Sequence, residues 1–307
     1  MTALLTAFLV SVIAASTPLL LAAVGELVVE KAGVLNLGVE GMMLAGAIAG
    51  FATANATGNT SLGLLAALFA GVALSLIFGL ITLTLQANQT ATGLALTIFG
   101  RGFSALLGAG YVGIAAPTLP KLQIPVLSDL PVIGPVLFSH DILEYFALVS
   151  LAIVAWCIRK THLGLILRAV GDSHDAAHAL GYAVVPIRYA AIAFGGALGG
   201  LAGAYMSLSY TPLWAQDMTA GRGWVALALV TFAAWRPFWL LIGAWFFGGL
   251  MYLSLYVQAL GVPVPSALLS ALPYIGTVVV LVMISRDRRR IRLHRPAMLG
   301  RSFHARA

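Results

Sequence analysis

Residues 62–85 read LGLLAALFAGVALSLIFGLITLTL, a run without a single charged side chain. Coiled as a helix at ~1.5 Å per residue, it is long enough to cross a hydrocarbon core of ~30 Å. Its apolar residues occupy odd and even positions alike, so it is not the alternating strand of a membrane barrel. Nor does it carry the polar stripe of a helix lying on a soluble core. Similar runs lie near 2–25, 41–57, 91–111, 142–158, 189–208, 222–236, 238–258 and 268–285. They predict an all-α polytopic membrane protein with about 8–10 transmembrane helices.

Composition points the same way. Of 307 residues 61% are hydrophobic and 9% charged, where a soluble domain carries about 25% charged. The single cysteine, Cys157, excludes an intrachain disulfide. No base precedes the first apolar run, so residues 2–25 read as a retained span rather than a cleaved signal. The net charge of +7 comes from the tail 286–307, which holds eight arginines and one aspartate; the rest carries nine bases and nine acids. Directly after an apolar run, such a tail reads as a cytoplasmic anchor touching membrane lipid, and nucleic acid is not an expected partner. The connection at about 159–189 holds Arg159, Lys160, Arg168 and Arg188 and belongs on the same side. Residues 112–141, stiffened by five prolines and with Lys121 as their only base, fall outside together with the N-terminus. The chain thus divides into one transmembrane domain, 1–285, and a basic tail, 286–307.

Two segments read either as discontinuous helices or as short tilted helices propped by their neighbours. RGWVALALVTFAAW, 222–235, is short and bounded by Gly221, Gly223 and Pro237, and the run 91–113 is interrupted at Gly100-Arg101-Gly102. The glycines of GGALGGLAG, 195–203, and Gly41, Gly46 and Gly50 are spaced for close helix packing. Residues 30–47, EKAGVLNLGVEGMMLAGA, keep polar groups among apolar runs. Glu26 to Lys31 are expected at a cytoplasmic turn, where charge costs little. Asn36 and Glu40, at i, i+4, are expected on one helix face, stitching helices together or facing a water-filled path. If Glu40 only makes hydrogen bonds, Glu40→Gln should be tolerated.

Catalytic chemistry is missing. The three lysines follow Glu30, Pro120 and Arg159, so no phosphate-cradling GxxxxGK[ST] exists, and HExxH, GxSxG and cysteine pairs are absent. No catalytic or metal residues are expected; His174, Asp175 and His178 read as a solvated helix face. The few deep acids argue against an ion-coupled carrier, and no paired groups at depth suggest an intramembrane enzyme. In the loop, Gly171 with Asp172 or Ser173 is set to cap a short helix that Gly181 ends near Leu180. Its small face (Ala176, Ala177, Ala179) suits the cleft of a partner protein.

This last string, LRAVGDSHDAAHALGYAV at 167–184, resembles the coupling segment of permease subunits in ABC importers for branched-chain amino acids, simple sugars and nucleosides. The likeness runs through Arg168, Ala169, Gly171, Ala176, Ala177 and Gly181, with Asp172 between them. EKAGVLNLGVEGMMLAGA, NQTATGLALTIFGRG at 88–102 and YTPLWAQDMTAGRGWVALALV at 210–230 look like the nucleoside-type branch, so the likeness covers nearly the whole chain. It implies a type II ABC importer permease fold with a cytoplasmic coupling helix and half of a translocation pathway. Implied partners are an ABC ATPase subunit, a second permease chain (itself or a paralogue) and an extracytoplasmic substrate-binding protein. The chain itself would need no cofactor, ATP and Mg being held by the ATPase. The implied location is a bacterial inner membrane, crossed several times, with the C-terminus cytoplasmic. Candidates for the path are Asn36, Glu40, Asn88, Thr92, Phe103 and Trp224. Gly171→Trp or Ala177→Arg should uncouple the ATPase without harming insertion. Simple sugars such as ribose, or branched-chain amino acids, are the alternative cargoes.

Overall fold

The computed structural model describes residues 2–303 except 116, 124, 126–127, 129, 131, 262–263, 266–267, 270 and 286–293. The arginine-rich centre of the tail thus lies outside the described residues. In chain order the elements are α1 (Thr2–Lys31), α2 (Val39–Thr57), α3 (Thr60–Gly79), α4 (Gln89–Gly108), β1 (Lys121–Gln123), α5 (Ile133–Phe138), β2 (Ser139–Asp141) and α6 (Ile142–Lys160). There follow α7 (His162–Asp172), α8 (His174–Ala179), α9 (Val184–Tyr205), α10 (Arg222–Phe232), α11 (Pro237–Ala259) and α12 (Leu272–Ser285). Leu80–Thr84 and Met206–Tyr210 extend α3 and α9 as wider π turns.

Among the described residues six helices, α1, α3, α4, α6, α9 and α11, are long and apolar enough to cross a membrane. With buried α2, short α10 and apolar α12 they make the expected all-helical polytopic protein. Side chains start many of these helices: Asn59 accepts the Ser61 N–H (2.9 Å), Asn88 that of Ala91 (3.0 Å), and Asp141 those of Leu143 and Glu144. Within α1, Pro18 withholds an amide, and the neighbouring Ser16 and Thr17 hydroxyls donate to the Ile13 carbonyl at 2.8 and 2.9 Å. β1 and β2 form one small antiparallel pair, Lys121 opposite Asp141.

The centre is a trio of helices whose backbones nearly touch. Gly46 of α2 and Gly71 of α3 both lie against Gly200 of α9, and a Cβ on any of the three would run into main-chain atoms. Because lipid gives no hydrophobic drive between helices, such contact area is what holds them. α1 packs on α9 through Gly25 and Gly195, α11 on α1 through Gly248 and Ser16, and α4 on α2 through Gly100 and Gly41.

Two expectations are corrected. α4 runs unbroken through Gly100-Arg101-Gly102, the absent Cβ of Gly100 admitting α2 rather than breaking the helix. α1 extends to Lys31, and Glu26, Glu30 and Lys31 are all buried rather than set at a wet turn. The short segment does form a discontinuous element: α10 has 11 residues, preceded by an irregular chain from Thr211 to Gly221.

A buried polar junction and a helical platform

α2 begins inside the bundle. Its Met42 lies beside Gly199, fifteen residues along α9, or ~22 Å from that helix's start. The chain between α1 and α2 therefore climbs through the protein interior, where irregular backbone needs internal partners. Those partners are present. The Leu35 N–H donates to Gln89 Oε1 (2.8 Å), Thr97 Oγ1 donates to the Leu37 carbonyl (2.9 Å), and Asn36 Oδ1 accepts the Gly38 N–H (2.9 Å). Asn36 Nδ2 donates to Glu26 Oε1 at 3.0 Å. Asn36 sits in this connection and not in α2, so it shares no helix face with Glu40, contrary to the i, i+4 expectation.

Glu40 meets the start of α10. Its Oε1 accepts the Thr219 hydroxyl (2.5 Å) and the Gly221 N–H (2.8 Å), and its Oε2 accepts the Gly223 N–H (2.6 Å). A helix N-terminus presents unpaired N–H groups and partial positive charge, which this carboxylate satisfies from within the chain. Asn36 and Glu40 are thus both buried and both stitched to neighbours. Glu30 is tied likewise to the far end of α10, accepting the Trp235 indole N–H at 2.5 Å.

The remaining path candidates lie on accessible faces. Asn88 is exposed as the cap of α4, Thr92 is half-buried, and Phe103 and Trp224 are exposed. Thr92 and Phe103 share one side of α4, eleven residues apart. Arg101, two residues from Phe103, points to the other side at ~100° per residue. There its guanidinium grips Asp217 in a two-point pair, Nε to Oδ1 at 2.8 Å and Nη2 to Oδ2 at 2.7 Å. Sequence reasoning missed this pair. Two opposite charges in charge-poor segments were the available signal, but partners 116 residues apart are not legible as partners. An apolar groove of about 350 Å³ between α1, α6, α7 and α9 is lined by Val28, Phe146, Ile153, Cys157 and Phe194 and offers little to a polar solute.

At the end of the bundle where α1 finishes, α7 and α8 form a platform. Ser173 caps α8 by accepting the Ala176 N–H (3.3 Å), and Gly181 turns the chain at φ +87°, as expected of this loop. Exposure divides its residues: Asp172, Ala176 and Gly181 face outward, Arg168 and Ala169 are half-buried, and Gly171 and Ala177 are buried. Gly171 lies on the Lys31 carbonyl, where any Cβ would collide. Ala177 packs with Val170, Val184 and Phe303. Gly171→Trp and Ala177→Arg would therefore strike the fold itself. His174 is also buried, its Nδ1 paired with Arg188 Nη2 at 3.2 Å and its ring 5.3 Å from that of Phe303, so it is not the solvated residue expected. No group of three metal-type ligands occurs among the described residues.

The described part of the tail is bound into this platform. Met298 N–H donates to the Gly171 carbonyl (2.9 Å), Gly300 N–H to Gly33 (3.1 Å), Arg188 Nη1 to the Arg301 carbonyl (3.1 Å) and Lys31 Nζ to that of His294 (2.8 Å). Nothing in the tail's composition signals this role.

At the opposite end a second buried polar cluster joins β2, α6 and α9. His140 Nδ1 pairs closely with Glu144, the Tyr205 hydroxyl donates to Glu144 Oε1 (2.7 Å), and the Ser209 hydroxyl donates to Asp141. Burial opposes a charged His140, but its bonds to Glu144 and the Val136 carbonyl, with the nearby charges of Glu144 and Asp141, hold its pKa above the usual value. Burial, then the Glu144 charge, raise that of Asp141.

Comparison with known proteins places this architecture. Residues 8–284 match the family model described as "Branched-chain amino acid transport system / permease component". The "Putative glucose ABC transporter permease protein TsgC13" of Haloferax volcanii is 38% identical, over 94% of this chain and 95% of its own. The "Guanosine ABC transporter permease protein NupQ" of Bacillus subtilis is 32% identical over 87% and 88%, and the "Nucleoside ABC transporter permease protein NupC" of Lactococcus lactis 30% over 87% and 89%. No solved structure matches. An all-helical membrane bundle, no ATP-binding motif of its own and a family match along nearly its whole length make one conclusion: the chain belongs to the branched-chain amino acid transport system permease family, the membrane-spanning, non-enzymatic subunits of ABC importers that work with a separate ATPase and a binding protein.

Proposed function

We propose that the chain forms half of the pathway of an ATP-driven nucleoside importer, beside a second permease chain that is a paralogue or another copy. α7, α8 and the tail then lie in the cytoplasm of a prokaryotic cell, a reading that the basic connections support. The ATPase would dock on the outward strip Asp172, Ala176 and Gly181, with Arg168 and Ala169 at its edge. The observation that carries this reading is how the strip is backed. Gly171 rests on the end of α1, and Ala177 rests on Val184 at the start of α9. A push from the ATPase would therefore reach two helices of the core without an intervening loop. No ion coupling is then needed.

The guanosine and nucleoside permeases among the relatives support a nucleoside cargo; the glucose permease supports a sugar as second reading. The test is uptake of labelled guanosine, glucose and leucine in cells with and without the gene. Loss of saturable guanosine uptake on deletion, with glucose and leucine uptake unchanged, is the expected result. Loss of glucose uptake alone selects the sugar reading, and loss of leucine uptake alone overturns both.

A further inference from the structure

We propose that Arg101 and Asp217 line a water-filled path at the middle of the membrane and make the polar contact with a neutral, hydroxyl-bearing ring, a sugar or the ribose of a nucleoside. Arg101 lies ~18 Å from the start of its span at Gln89 and ~15 Å from its end at Tyr111, too deep to reach the headgroups from either side. Yet its side chain is 57% exposed, and that of Asp217 is 40% exposed. An ion pair left open to hydrocarbon at this depth is strongly disfavoured, so this face of α4 does not meet lipid. The buried acids nearby are already committed: Glu40 closes the N-terminus of α10, and Asn36 holds Glu26. Arg101 and Asp217 are instead paired only along one edge. Guanidinium hydrogens and carboxylate lone pairs remain to donate to and accept from adjacent hydroxyls.

The local backbone is built to hold Asp217 there. Asp217 and Ala220 adopt left-handed φ values of +56° and +47°, an uncommon conformation for residues with side chains and one that surrounding structure must enforce. Arg222 enforces it from behind. Its guanidinium donates to the Met218 and Thr219 carbonyls and lies over the Tyr210 ring, 5.5 Å from the centroid. Trp224, in the first turn of α10, is also exposed and offers an apolar surface of the kind that suits a sugar face or a base.

The proposal rests on the importer reading, and its test separates the two. In a Cys157→Ser background, Asp217→Cys is compared with Phe69→Cys, a residue 66% exposed on α3 near the Gly71 contact at mid-depth. A charged, membrane-impermeant thiol reagent is applied to vesicles holding the assembled transporter. Since only a thiolate reacts, the Asp217→Cys variant should be modified at least about tenfold faster than Phe69→Cys. Saturating guanosine or glucose, whichever the uptake assay selects, should slow it. Equal inertness of both variants, or fast modification that neither solute slows, overturns the proposal whatever the uptake assay shows. The charge exchange Arg101→Asp with Asp217→Arg supplies the second readout. It should restore the amount of protein in the membrane that Arg101→Asp alone loses, while the KM for uptake stays raised. Full recovery of KM would reduce the pair to a structural tie and overturn the contact.

Discussion

At the scale of single residues, Glu40 shows how a carboxylate can be required without touching a substrate. All three of its donors point at acceptor oxygens. Glu40→Gln puts an amide NH₂ against an N–H or hydroxyl donor, leaving a buried group unsatisfied at a cost of roughly 1–3 kcal/mol. We expect a lowered unfolding midpoint in detergent, seen by tryptophan fluorescence, where a role limited to hydrogen bonding led the sequence reading to expect tolerance. His140 makes a different prediction. Its raised pKa means that the folded state holds the proton more tightly than the unfolded chain. The stabilisation is complete below the unfolded pKa of about 6.5 and is lost as pH rises through the folded value. Asp141, also raised, has the same sign from its lower starting value. The midpoint should therefore fall as pH rises above about 6.5, and His140→Gln should flatten that slope. The chemistry of Glu40 was legible as a polar group kept among apolar ones. Its partners were not, because Thr219 and Gly223 lie far along the chain and carry no mark of their own.

At the scale of elements, length and hydropathy made the long helices legible, and Ser173 and Gly181 marked α8 by their capping chemistry. The connection 32–38 and the inward turn of the tail were not legible, since each offers mostly backbone groups, and the side chains that meet them, Gln89 and Thr97 or Lys31 and Arg188, lie far along the chain. Nor did spacing tell which face of α8 looks outward, because six residues make fewer than two turns. The two neighbouring alanines now separate fold from docking. Ala176→Arg, on the outer face, should leave expression and melting unchanged and abolish stimulation of the partner ATPase by substrate and binding protein. Ala177→Arg, buried against Phe303, should reduce folded protein in the membrane. Equal yields of the two variants would refute this division of the helix.

For the whole molecule, glycine spacing in α2 and α9 anticipated close packing there, though neither that α3 joins the seam nor which glycines meet. Gly200→Ala should cost about 1–3 kcal/mol, as overpacking does, because its methyl group would meet the Ala67 carbonyl rather than a side chain that can turn aside. Thermal unfolding of the purified chain checks this, and an unchanged midpoint would contradict so close an approach. The seam also bears on how the molecule changes shape. Side chains that interlock can exchange rotamers and let helices slide by small steps. Bare backbones in contact have no such intermediate settings, so the three helices should travel as one stiff piece. Whatever bending accompanies a transport cycle must then be taken up around that piece, where the short α10 meets it through the polar joint at Glu40, which can be unmade and remade.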